Sequence, residues 1–133
     1  LITPAPDMAI VGIGTDIVAL ARIEKVLERN PAFAERVLTG DELETYAQAG
    51  RPAALVAKRF AAKEAAAKAL GTGIAQGVSF QHIEVRHTAL GQPLLHLSAA
   101  ALQRANTIGA TAFHLSISDE ADYAMAYVIL ESD

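Results

Sequence analysis

Hydrophobic positions along the chain change period at definite points, and each change predicts an element. Met8–Gly14 (MAIVGIG) is a nearly continuous apolar run ending in glycines, which predicts a buried strand. From Ile17 to Arg29 the period becomes helical, with Leu20, Ile23, Val26 and Leu27 recurring, and Asn30-Pro31 ends it. Thr39 and Glu42 have capping-box spacing ahead of a short helix that carries Leu43, Tyr46 and Ala47 inward and stops near Gly50. Pro52–Leu70 is the clearest helix. Pro52 suits its first turn, nine alanines favour it, and Gly71 stands where a C′ glycine belongs. A glycine-rich loop, Gly71–Gly77, follows.

The second half reads mostly as strand. Val78–His87 and Leu94–Leu97 flank a Gly91-Gln92-Pro93 turn, and Ser98 can cap a helix running to about Thr107. Thr111–Ser118 alternates, with Phe113, Leu115 and Ile117 on one face and His114, Ser116 and Ser118 on the other. A turn at Asp119–Asp122 leads into Tyr123–Leu130, so these two strands should form a hairpin. The order β-α-α-α-β-β-α-β-β, helices early and strands late, predicts an α+β fold with helices packed on a mainly antiparallel sheet.

Composition narrows the classes. The 133 residues suit one domain, and 52% apolar with 20% charged residues is too apolar for disorder. A net charge of −4 and 5% aromatic residues argue against a nucleic-acid binder. The absence of cysteine removes disulfides, thiol nucleophiles, thiolate zinc sites and iron–sulfur clusters. No apolar run approaches the ~18 residues of a membrane span, and residues 1–7 lack the features of a signal peptide. Met8 reads as the native start, with 1–7 as leader or leftover sequence and a single cytoplasmic domain over 8–132.

Candidate chemistry concentrates on the long helix. At 100° per residue, Arg59 and Lys63 fall inside an apolar arc of Leu55, Val56, Phe60, Ala66 and Leu70. Either they snorkel out of it, or both point at something anionic near the core edge, such as phosphate. Glu64 and Lys68 share the next face at i, i+4, as an ordinary helix ion pair or as part of a phosphate site. Asp16 is either a helix cap or a carboxylate able to hold Mg²⁺ together with Glu64. Neither Gly12–Gly14 nor Gly71–Gly73 completes a dinucleotide or P-loop fingerprint, and close backbone packing is the favoured reason for the first pair. Arg22, Lys25 and Arg29, at i, i+3, i+7, form a basic stripe suited to an acidic partner or simply to solvent. His82, His87, His96 and His114 have no metal-ligand spacing.

Three segments carry a resemblance: Gly12-Ile13-Gly14-Thr15-Asp16-Ile17-Val18, the run from Arg59 to Gly73 (RFAAKEAAAKALGTG), and His114-Leu115-Ser116-Ile117-Ser118. Together they resemble the small bacterial holo-[acyl-carrier-protein] synthases, from about Met8 to Ser132. The resemblance implies Mg²⁺-dependent transfer of 4′-phosphopantetheine from coenzyme A to a serine of apo acyl carrier protein. Adenosine 3′,5′-bisphosphate would be released, in the service of fatty acid biosynthesis. It implies a homotrimer with sites at subunit interfaces, Asp16 and Glu64 as metal ligands, and Glu64 and Lys68 as catalytic residues. It further implies coenzyme contacts from Arg59, Lys63, Gly71, Thr72, Gly73 and His114, and carrier docking by Arg22. Helical spacing extends that docking strip to Lys25 and Arg29. One departure stands out: many members have histidine where this chain has Asp119, and Asp119 receives no role. The alternative is a non-catalytic trimeric module that binds acyl carrier protein or a nucleotide.

Overall fold

The computed structural model describes residues 8–133, so the reading of 1–7 as leader lies outside the described residues. The chain forms an α+β domain built around one helix. A three-stranded antiparallel sheet has β1 (Ile10–Ala19) and β4 (Ala112–Asp119) on either side of β5 (Tyr123–Glu131). A two-stranded ribbon pairs β2 (Ile83–His87) with β3 (Pro93–Leu97). The helices are α1 (Leu20–Arg29), α2 (Phe33–Val37), α3 (Gly40–Gln48), α4 (Ala53–Ala69) and α5 (Ala99–Thr107).

The central element is α4. A helix that is apolar on nearly every side is a buried one, and Val56, Ala57, Ala61, Ala62, Ala65, Ala66, Ala67 and Ala69 all lie in the core. Alanine brings neighbouring backbones close. On β1 the matching residues are Gly12 and Gly14. A Cβ on Gly14 would overlap the Ala65 carbonyl and stand 2.7 Å from the Ala69 nitrogen, while one on Gly12 would overlap the Ala69 carbonyl. The close packing expected of these glycines is therefore what the chain uses them for. The helix ends at Gly71, whose φ of 80° no side-chain-bearing residue adopts cheaply.

Several boundaries differ from the sequence pattern. Residues 17–19 belong to β1 and not to the following helix, because pairing with β5 continues from Ile17↔Met125 to Ala19↔Tyr123. Asp16 thus sits inside a strand, opposite Ala126, and caps nothing; the N-cap of α1 is Ala19. The segment after Asn30 closes into α2, a five-residue helix the pattern did not predict. Val78–His82 is not strand. It holds a 3-10 turn, Phe80–His82, with the Ser79 amide donating to His82 Nδ1. Ser98 stands at the N-cap of α5, but its hydroxyl donates to the His82 carbonyl at 3.4 Å and makes no cap bond. Ala47 faces solvent. The Thr39–Glu42 capping box and the β4–β5 hairpin form as the sequence implies.

Candidate active site at the seam of β1 and α4

Close contact between β1 and α4 brings together residues about fifty positions apart in sequence. Lys68 Nζ donates to Asp16 Oδ1 at 3.0 Å and to the Thr15 carbonyl at 3.0 Å. Glu64, one turn before Lys68, faces the same place. Its carboxyl is raised from its ordinary pKa, first by burial and then by repulsion from Asp16, against the opposing pull of Lys68 and Arg22. Among the described residues Glu64 and Lys68 form no ion pair within 4 Å, so the i, i+4 helix bridge is not the arrangement found. The lysine crosses to the strand instead.

The pair of carboxylates suits a divalent cation in its chemistry. Two oxygen donors on facing backbones repel each other, and a cation between them would relieve that repulsion. Among the described residues no cluster of three or more metal-ligating side chains occurs. Mg²⁺ needs no such cage, because it characteristically takes one or two carboxylates and fills its shell with water and substrate phosphates.

Arg22 stands at the edge of this site, since its charge acts on Glu64. With Lys25 and Arg29 it lines a shallow surface depression along α1, floored by Ala21 and Val26. The structure therefore gathers the whole basic stripe on one exposed face.

Of the expected coenzyme contacts, Lys63, the Gly71–Gly73 loop and His114 take other places, while Arg59 is anchored inside and still reaches a surface pocket. Lys63 does not reach a ligand: it is fully buried, and its three protons go to Val37 O at 2.6 Å, Glu42 Oε1 at 2.6 Å and Phe80 O at 3.1 Å. Burial holds its pKa below the ordinary lysine value, partly offset by Glu42. The anion that this cation points at is internal. Arg59 shares it, with Nη1 on Glu42 Oε2 at 3.2 Å and on Val85 O at 2.9 Å, yet it also lines a surface pocket with Leu55, Lys58, His87, Pro93 and Asp119.

In the Gly71–Gly73 loop the amides are spent on the helix end: Gly71 on Lys68 O, Thr72 and Gly73 on Ala67 O. The Thr72 hydroxyl donates to Gly73 O. This loop does not cradle a phosphate with backbone N–H groups. His114 projects from the sheet face opposite α4 and meets Glu131 Oε1 at 3.2 Å, so within one chain it does not join Asp16 and Glu64.

Two features escaped the sequence reading. Glu42 organises both buried cations, and a partial signal for it existed: cations that stay inside an apolar arc call for an acid there, and Glu42 was already placed in a capping box. Lys58 and His87 had no such signal, because α4, β2 and β4 create their pocket only on folding.

Comparison with known proteins gives the class to which this fold belongs. Residues 12–128 match the model of the 4′-phosphopantetheinyl transferase superfamily. A holo-[acyl-carrier-protein] synthase of Vibrio parahaemolyticus is 55% identical over 126 residues, covering 94% of this chain and all of that protein. The crystal structure of the Neisseria meningitidis holo-[acyl-carrier-protein] synthase is 47% identical and superposes with a TM-score of 0.86, over 92% of this chain and 98% of that one. A Bacillus anthracis holo-(acyl-carrier-protein) synthase, solved in complex with coenzyme A (3′,5′-ADP), is 45% identical with a TM-score of 0.78, over 93% and 98% of the two chains. The chain belongs to the holo-[acyl-carrier-protein] synthase family of 4′-phosphopantetheinyl transferases.

Proposed function

We propose that this enzyme moves the 4′-phosphopantetheine group of coenzyme A onto a serine of apo acyl carrier protein at the cluster of Asp16, Glu64 and Lys68. The observation that carries the reading is the Gly14–Ala65 approach, which sets two carboxylates and a lysine from distant parts of the chain at one open seam. Binding a carrier or a nucleotide alone would not call for a pair of mutually repelling carboxylates, so the non-catalytic module is disfavoured.

Asp16 and Glu64 would hold Mg²⁺, which when bound supplies charge neutralisation on the pyrophosphate of coenzyme A. The remaining steps belong to the chain. The carrier serine oxygen forms a bond to the pantetheine-bearing phosphorus, and the bond from that phosphorus to the bridging oxygen breaks. The leaving group is adenosine 3′,5′-bisphosphate. Glu64 takes the serine proton, directly or through a water beside it. Lys68, held by Asp16 and Thr15, sets its positive charge beside the phosphate oxygens as charge moves onto the leaving group. The direct test is intact-mass spectrometry of apo acyl carrier protein incubated with the enzyme, coenzyme A and Mg²⁺. A gain of one phosphopantetheine, lost with EDTA, is expected; an unchanged mass with carrier binding intact would return the binding module to favour.

The stripe of Arg22, Lys25 and Arg29 docks an acidic helix of the carrier. Raising salt from 50 to 500 mM should then increase KM for carrier protein several-fold while leaving kcat nearly constant, because exposed charges are screened over ~10 Å or less. A salt-independent KM would refute this docking surface.

The enzyme assembles as a homotrimer through the sheet face opposite α4. That face carries Ile13, Ile17, Tyr123, Met125 and Tyr127, with Ile17 62% exposed. Contiguous apolar surface of this kind marks an interface. It would also bring His114 of one copy towards the site of another. Light scattering should give the mass of three chains, and a monomer at micromolar concentration would contradict the assembly. Supply of holo carrier to fatty acid synthesis follows from this activity as the proposed role.

A further inference from the structure

Glu42 holds two buried cations at once. Arg59 is 8% exposed and Lys63 0%, and the single carboxylate between them is 1% exposed. Glu42 is saturated: Oε1 accepts from the Thr39 amide at 2.8 Å and from Lys63 Nζ at 2.6 Å, and Oε2 from Arg59 Nη1 at 3.2 Å and the Val85 amide at 2.9 Å. Lys63 has spent all three of its protons.

Arg59 differs. Its Nη1 is engaged twice, by Glu42 and by Val85 O at 2.9 Å, and two bonds from one nitrogen fix the plane of the guanidinium. Among the described residues no buried side-chain nitrogen or oxygen lacks a partner. The remaining N–H groups of Arg59 are therefore not sealed in, and Arg59 lines two surface pockets, one with Lys58, His87, Pro93 and Asp119, the other with Asp41, Glu42, Glu84 and Arg86. The first sets two cations against one carboxylate and the second two cations against three carboxylates, so the first is the one suited to an anion. Lys58 is the second cation of that pocket, against the single carboxylate of Asp119. Burial, with Arg59 and Lys58 nearby, pushes His87 towards its neutral form. Without an anchor, repulsion from Lys58 and the freedom of a long side chain would swing Arg59 away.

We infer that Glu42 is a positioning residue for the substrate: it fixes the Arg59 guanidinium so that its free donors face an anionic group of coenzyme A in this pocket. The inference rests on the reading that Arg59 contacts the coenzyme. Three elements determine the position of Glu42. It closes the capping box of α3, bonds to α4 through Arg59 and Lys63, and accepts the β2 amide of Val85. An arginine set this way loses little conformational freedom when ligand arrives, so the ordering cost is met on folding and not on binding.

The test is steady-state kinetics of the full chain with coenzyme A varied, for Glu42→Gln alone and combined with Arg59→Ala. Glutamine also serves in a capping box, but it places an NH₂ where one carboxylate oxygen accepted. KM for coenzyme A should rise about tenfold with kcat changed less than about twofold, and the rise should vanish when Arg59 is already alanine. Lys63→Met disturbs the same buried network without touching the bonds of Arg59. It should lower Tm and leave KM for coenzyme A unchanged, which separates positioning from general loss of packing. Glu42→Asp keeps the charge with a shorter reach and should give the same KM pattern if the glutamine variant does not fold. An unchanged KM in a folded Glu42 variant, or a rise additive with that of Arg59→Ala, overturns the inference and leaves the coenzyme reading of Arg59 intact. An unchanged KM in Arg59→Ala overturns both.

Discussion

Replacing Glu64 with alanine should lower kcat for phosphopantetheine transfer by about a thousandfold or more, because one change removes both a metal carboxylate and the base. The fold should tolerate the loss. Glu64 is half-buried with its pKa raised, so its ionised form is disfavoured where it sits, and its removal relieves repulsion with Asp16. Tm should stay within a few degrees of the parent, and activity at the parental level with Mg²⁺ would refute the assignment. Asp16→Ala should match it in rate. Lys68→Ala should lower kcat less, by about a hundredfold, in line with the loss of one charge on the departing phosphate.

Gly14→Ala carries the second large expectation. The added methyl would meet the Ala65 carbonyl and the Ala69 nitrogen, both backbone of the central helix, and neither can rotate aside. Relief requires α4 to move off β1. Overpacking of this kind costs ~1–3 kcal/mol in side-chain cores and more against backbone, which is a large part of a typical stability of ~5–15 kcal/mol. The same movement would part Asp16 from Glu64, so folded molecules should also lose activity. Gly40→Ala is the control, with no atom within 4 Å of the added Cβ; it should leave the urea midpoint unchanged or slightly higher. Equal midpoints for the two variants would contradict the packing account.

The strength of each local signal decided what the sequence revealed. The span and C-terminal stop of α4 were plain because alanines, a leading proline and a C′ glycine all agree. The β4–β5 hairpin was plain because Phe113, Leu115 and Ile117 alternate against polar neighbours. The end of β1 was not, since Ile17 and Val18 fit a strand or a helix equally well, and only the ladder to Met125 and Ala124 decides. At the site, the residue types were legible and their partners were not. Asp16, Glu64 and Lys68 could be named, but the crossing of Lys68 to Asp16 depends on a helix–strand contact that glycine permits and does not announce. For Arg59 and Lys63 the pattern left two possibilities, snorkelling out of the apolar arc or facing an anion such as phosphate, and the structure holds both on an internal carboxylate. That the anion is Glu42, from another helix, follows only from tertiary packing.

The central claim is that the seam between β1 and α4 is where metal and coenzyme meet. Crystals grown with coenzyme A and Mn²⁺ in place of Mg²⁺ test it most directly, through anomalous scattering from the metal. One peak is expected between the carboxylates of Asp16 and Glu64, within coordination distance of both and of a pyrophosphate oxygen, and Glu64→Ala should abolish it. Coenzyme bound with the peak elsewhere, or with no peak at all, would contradict the account.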